Sequence, residues 1–381
     1  MQSAATLDPQ HFLAGELLYN DVKTYSAFGE HRTASEADRK TSDWLVKQLL
    51  GFGFIARLSP FRAQSFQLSS ARLVADGRAV PCFPLWPPRA GEVRAQVAHG
   101  NRKGAVAIVR FPKAAALTPE IRAAVQSAID AGAVAVICVT PSESGELTAL
   151  NVAAEAPVWS VPVVLVGPAD AAGLIGATGA GVFIEGRQEL RAEAFNVIAE
   201  IGSGEKRIVV STPSSGWFHC AGERGPGIAI WLALARWASH RESNARYTFV
   251  ATSGHEIGEI GMRDFLAKDA PKPDRVRAWL HLGASIAAKG STRRLMTNRR
   301  EFVPALSRSF SSILDLAPQL TDSPPGELAQ LAALKYPCFG IAGGHRLFHS
   351  PSDLPSTTSA QMLEPVAQAL LRALVDLEAG A

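Results

Sequence analysis

The side chains with chemistry to offer gather at four places in this 381-residue chain. His255 and Glu256 stand together in SGHEIGEIG. Glu223 lies in the glycine-rich run PSSGWFHCAGERGPG that follows Thr212. His281 sits in WLHLGA, and His349 closes GGHRLFHS, with Asp353 just beyond. Imidazole with carboxylate suits Zn²⁺ and similar borderline metals, and it also suits proton transfer. A lone histidine in a core is usually a satisfied polar group. His or Glu in each of four separate loops calls for a site. His219, His345 and His31 take plainer roles, and His31 reads as a loop residue or surface hydrogen-bonder.

Two familiar arrangements can be tested directly. The H-E-x-x-H zinc helix is absent, because the residue four after His255 is Glu259 and Gly258 interrupts the turn. The run Gly283-Ala284-Ser285-Ile286-Ala287 approximates a nucleophile elbow without its final glycine. Ser285, Asp322 and His349 then follow in the order of a serine hydrolase triad, which keeps that chemistry as a minor alternative.

The elements that must hold these groups read as alternating strands and helices. Tyr247, Phe249 and Val250 are β-formers, Gly254 turns the chain, and a helix begins beyond Gly258. His255 and Glu256 thus fall at a strand's carboxyl end, where α/β folds bind ligands. Helices are expected over much of residues 8–52, after Pro226 in IAIWLALARWASH, and from Ser359 to Leu377. FNVIAEI and RIVVST flank the polar turn Gly202–Lys206 and read as a hairpin. Between them and the N-terminal helices lies a block with its own strands (GAVAIVR, VAVICVT, PVVLV), opened by the proline-rich VPCFPLWPPRAGE. It reads as a module inserted into a larger domain. The division expected is 1–67 and 189–381 for the main domain and 68–188 for the insert. The fold expected is a three-layer α/β/α sandwich around a mixed sheet.

Composition excludes some functions. A net charge of +3 and the absence of any long Lys/Arg run argue against nucleic acid. The Arg293-Arg294 and Arg299-Arg300 pairs read as a solvated face or a substrate-side patch. No apolar run reaches the roughly 20 residues that span a bilayer, so no membrane role is expected. Four separated cysteines without C-x-x-C spacing suggest neither a zinc knuckle nor a disulfide framework. The start, MQSAATLDPQHF, lacks the marks of a secretory signal, and the expected location is cytoplasmic. Nothing in the sequence specifies an oligomeric state.

Nearly the whole chain resembles the zinc aminopeptidases of clan MH, family twenty-eight, which include bacterial leucyl aminopeptidase and aminopeptidase S. SAFGEHRTASEADRKTSDWLVKQLLGFGF resembles that family's N-terminal segment, and FNVIAEIGSGEKRIVVST the hairpin before its first ligand. VATSGHEIGEIGMRDFL resembles its Glu-Glu motif, and FHSPSDLPSTTS its closing segment. Residues 68–188 resemble a protease-associated domain.

The resemblance also implies a changed site. Thr212-Pro213-Ser214 stands where the family has His-x-Asp, so one metal ligand is lost. Glu223-Arg224 matches the bridging aspartate and its neighbour. His255 matches the catalytic glutamate, Glu256 the ligand glutamate, His281 an aspartate ligand and His349 the final histidine ligand. The implied centre is one Zn²⁺ rather than two, held by Glu256 and His349 with Glu223 or His281, and His255 as the base. The implied reaction is amide hydrolysis in a peptide or small N-acyl compound. The alternative is a binding protein that has lost its metal. Thr212, Trp217 and Arg224 would line the substrate pocket.

Overall fold

The computed structural model describes residues 9–379, apart from 101, 175 and 242–244. A mixed sheet forms its backbone. At its centre Arg207–Pro213 runs parallel to Arg246–Thr252 on one side and to Val276–Leu282 on the other, and Val276–Leu282 runs parallel to Cys338–Ala342. These strands are almost wholly buried, as their continuous apolar runs require when both faces are covered. The helix Gly225–Ser239 is apolar all round and buried, with Pro226 in its first turn. Trp231 Nε1 donates to Val210 O across 3.0 Å, fixing the helix to the sheet. The helices Gly15–Ala27, Glu36–Gly51 and Ala360–Ala379 join the same apolar cluster. This is the expected α/β architecture of a large mixed sheet flanked by helices.

The expected hairpin does not form. Gly179–Ile201 and Arg207–Pro213 are not partners, because Arg246–Thr252 lies between them, antiparallel to the first and parallel to the second. Parallel neighbours need a crossover, and the helix Gly225–Ser239 supplies it. The turn at Gly202 has φ +82 and abuts the start of the intervening strand; a Cβ there would fall 2.1 Å from Ala245 O.

Residues 55–201 are organised by two long strands. Ile55–Ala75 and Gly179–Ile201 pair antiparallel from Ile55↔Glu200 to Ala75↔Ala180. Both expected boundaries fall inside these strands, where Gln67 pairs with Arg187, so the chain passes through without a break. Val106–Arg110, Ala135–Val139 and Val163–Val166 build the sheet of the intervening block over their own apolar cluster. That cluster also takes in Trp217, Phe218 and Ile257 from the other part of the chain.

Candidate active site

A cavity of about 640 Å³ lies where the strand ends meet the loops around Lys113, Glu143 and Asn151. His255, His281, Glu327 and His349 contribute to its wall. The volume falls in the range that admits drug-sized ligands.

Glu256 faces away from the cavity's chemistry. Its Oε1 accepts from Thr33 N and Thr33 Oγ1, both at 2.6 Å, and its Oε2 accepts from Ser215 Oγ at 2.6 Å. Ser215 Oγ in turn accepts from Gly254 N (2.8 Å) and His255 N (3.2 Å). Glu256 therefore braces the turn that presents His255.

Glu223 is fully buried beside Arg224, with Arg224 Nη2 at 2.8 Å from Glu223 Oε1. Burial works to raise its pKa, but the guanidinium of Arg224 prevails and holds the carboxyl far below its usual range. Asp353 presents this loop by accepting from Gly222 N (2.7 Å) and Glu223 N (2.9 Å). A Cβ on Gly222 would meet Thr357 Oγ1 at 2.5 Å and Asp353 Oδ1 at 2.8 Å, so glycine is required. His349 Nδ1 donates to Ala149 O at 3.0 Å, leaving Nε2 at 3.5 Å from Glu223 Oε1.

His255 and His281 converge on Glu327, a residue with no motif of its own in the sequence. His255 Nδ1 lies 3.1 Å from Glu327 Oε1, and His281 Nε2 lies 3.7 Å from Oε2. The carboxyl is fully enclosed, and Thr252 Oγ1 approaches both oxygens at 3.3 and 3.4 Å. Burial raises the Glu327 pKa against the opposing pull of His281 and Arg224. Burial, then the charge of Arg224, pushes His255 down to about 3, so its ring is neutral near pH 7. Burial likewise pushes His281 down to about 4, and its Nδ1 meets Ser211 Oγ at 3.0 Å. Glu327 opens the short helix Glu327–Ala333 and shares its buried face with Leu328 and Leu331. That spacing is the one local signal that could have turned it inward.

These side chains are not arranged around a single zinc position. Both oxygens of Glu256 are taken by hydroxyl and amide donors, and a guanidinium that stays positive at any working pH lies beside Glu223. Glu223 and Arg224 compensate each other's charge, although the Nη donors are not aligned for a hydrogen bond. Among the described residues, no group of three or more His, Cys, Asp or Glu side chains is arranged to hold a metal. Of the expected ligands, Glu256 is committed to its hydroxyl and amide donors, whereas both oxygens of Glu223 and Nε2 of His349 are buried without a hydrogen-bond partner.

Other expectations also change. Thr212, Trp217 and Arg224 do not line the cavity. Thr212 Oγ1 donates to Leu282 O (2.9 Å), Trp217 Nε1 donates to Asn151 Oδ1 (3.0 Å), and Arg224 Nε donates to Ser215 O (3.0 Å). The triad of Ser285, Asp322 and His349 is not assembled: Ser285 Oγ is paired with His345 Nδ1 at 2.9 Å, while Asp322 is exposed. His31 is no surface residue. It is fully buried, stacked on Tyr25 at 3.9 Å, with Nδ1 on Phe218 O at 3.2 Å.

The long shared sheet, its helical layers and a cavity at the strand ends define a zinc aminopeptidase-like fold. Solved structures of that class match along nearly their whole length. A Peptidase M28 precursor from Shewanella amazonensis gives a TM-score of 0.78 at 14% identity, covering 98% of this chain and 95% of that one. The zinc aminopeptidase BSAP from Bacillus subtilis gives 0.77 at 16% identity, over 96% of this chain and 95% of that one. An aminopeptidase from Aneurinibacillus gives 0.68 at 18% identity, again over 96% and 95%. No protein-family model and no curated protein sequence matches the chain. At these identities the likeness is one of fold.

Proposed function

We propose that this chain is an amide hydrolase working without a resident metal, on a peptide or small N-acyl compound held in the cavity. The carrying observation is the His255–Glu327 pair, with Nδ1 and Oε1 3.1 Å apart and the histidine on the cavity wall. A proton between Nδ1 and Oε1 fixes the ring and leaves Nε2 as the base. Nε2 takes a proton from water as the water oxygen bonds to the carbonyl carbon. That proton then passes to the departing nitrogen as the C–N bond breaks. His255, His281 and Glu327 are gathered and desolvated at one end of the cavity, which supports a functional site. We take residues 68–188 as an inserted unit that closes one side of the cavity, and 1–67 with 189–381 as the main domain. That division is supported by the apolar cluster that most of the insert's buried side chains share, although Trp217, Phe218 and Ile257 join it from the main part.

A second reading, ligand binding without turnover, is favoured by the guanidinium beside Glu223, which removes the electrophile that a metal would supply. A fluorogenic peptide and N-acyl amide library, assayed with chelator present, separates the two. Hydrolysis that falls about 10²- to 10⁴-fold in both His255→Ala and Glu327→Gln supports the hydrolase. Activity that chelator abolishes and Zn²⁺ restores overturns the metal-free reading. Ligand-induced stabilisation with no turnover leaves the binding protein.

A further inference from the structure

The charged groups around the cavity are not equally engaged. Lys113 is paired with Glu143 at 2.5 Å, Glu259 is bound by Gln330, and Glu327 is held between His255 and His281. Arg293 is consumed by Asp315 (2.8 and 3.2 Å) and by Ile286 O (2.6 Å). Arg294 and Arg346 remain. Both are exposed, both line the cavity, and neither side chain has a hydrogen-bond or ion-pair partner among the described residues, though the field of Arg346 reaches Glu143. The Arg293-Arg294 pair is thus divided, with one guanidinium spent on the fold and the other left on the cavity.

The segments bearing the two free arginines are fastened together. Thr292 N donates to Gly344 O at 2.9 Å, Thr292 Oγ1 reaches the same oxygen at 3.3 Å, and Gly343 N donates to Ala284 O at 2.9 Å. A Cβ on Gly343 would fall 2.5 Å from Arg293 Cα, so this close approach depends on glycine. The backbone segments that carry the two cations are therefore braced together, and both residues line the same cavity as His255 and Glu327. Guanidinium groups grip carboxylates and phosphates through paired charge-assisted hydrogen bonds.

We propose that Arg294 and Arg346 form an anion subsite that takes the carboxylate end of the ligand. The ligand class is then a short peptide or N-acyl amino acid with a free carboxylate. Placing its amide at His255 rests on the function proposed above, whereas the anion subsite does not.

The test compares N-acetyl-dipeptides bearing a free C-terminal carboxylate with the same peptides amidated, by calorimetric titration of the full chain and of the Arg294→Gln/Arg346→Gln double variant. Wild type should bind the acids about tenfold tighter than the amides, the scale of one charge-assisted contact, and the double variant should lose that preference. Both arginines are unpaired, so an unchanged Tm of the double variant serves as the folding control. Equal binding of acids and amides, or no binding of either, overturns the subsite. Inorganic phosphate displacing the peptide acids at equal concentration overturns the carboxylate assignment in favour of a phosphate ligand. Acid preference without hydrolysis keeps the subsite and sinks the hydrolase. Hydrolysis that depends on His255 without acid preference does the reverse.

Discussion

Arg224 Nη2 lies 2.8 Å from Glu223 Oε1, and each side chain is only 1% exposed. A permanent cation thereby lies against a buried carboxylate on the same loop. The pair is worth little as net stabilisation, since both groups lose their hydration, but neither tolerates losing the other.

Arg224→Ala should cost about 3–5 kcal/mol, because it strands a buried carboxylate. The double change Glu223→Gln with Arg224→Met should cost much less. Urea denaturation of the single and double variants measures both, and a double variant as unstable as the single would refute the compensation argument.

Metal removal should be silent. Protein purified without chelator is expected to carry no stoichiometric zinc, and EDTA should leave Tm unchanged, since the carboxylate oxygens of Glu256 are already committed to Thr33 and Ser215. Elemental analysis together with a melting curve checks this. Zinc bound one-to-one, with a raised Tm, would show that the carboxylates rearrange.

Ser215→Ala should loosen the site from behind. It removes the donor to Glu256 Oε2 and the acceptor for Gly254 N and His255 N. Leaving those buried groups unmatched should cost roughly 1–3 kcal/mol and reduce turnover through poor placement of His255. Stability and kcat measured on the same preparation should fall together.

Acid sensitivity should trace in part to His31. Burial pushes its pKa from 6.5 down to about 3. A depressed value means the unfolded chain binds the extra proton. The stabilising contribution is complete above pH 6.5 and drains away as pH falls towards 3. Between pH 7 and pH 5 this one group should withdraw roughly 2 kcal/mol. His31→Phe keeps the stacking surface against Tyr25, and Phe218 O retains the backbone donor His31 N at 3.0 Å. Its Tm should therefore decline less than that of wild type over this range. An identical decline would show that His31 is protonated in the folded protein.

Much of the scaffold could be read from local pattern. The strand, turn and helix around His255 follow from β-formers, Gly254 with φ +84, and the helix Ile260–Lys268. Strand neighbourhood was less legible: a short polar turn after Ile201 looks like a hairpin, and only the tertiary pairing of Arg246–Thr252 shows otherwise. The site divides the same way. His255, His281 and His349 stood out because histidine at strand ends is conspicuous. Glu327 did not, since a glutamate opening a helix is ordinarily solvated. Glu256 and Glu223 were visible as carboxylates, but their partners Thr33, Ser215 and Arg224 come from elsewhere in the fold or carry no metal signature. Which donors a carboxylate meets is a property of packing.

The two long strands have a mechanical consequence. Ile55–Ala75 and Gly179–Ile201 run as paired strands from beneath the main helices into the intervening block, with register shifts between Ala63 and Ser65 and between Leu68 and Ser70. Val152 N donates to Glu256 O at 2.9 Å, and Ala149 N donates to His349 O at 2.9 Å. Those rivets join the opposing walls at Glu256, beside His255, and at His349. A hinge needs a few loose residues to absorb rotation, and this junction is ladder-bonded instead. The crevice should therefore keep its width when empty, and calorimetry should record one melting transition for both halves rather than two.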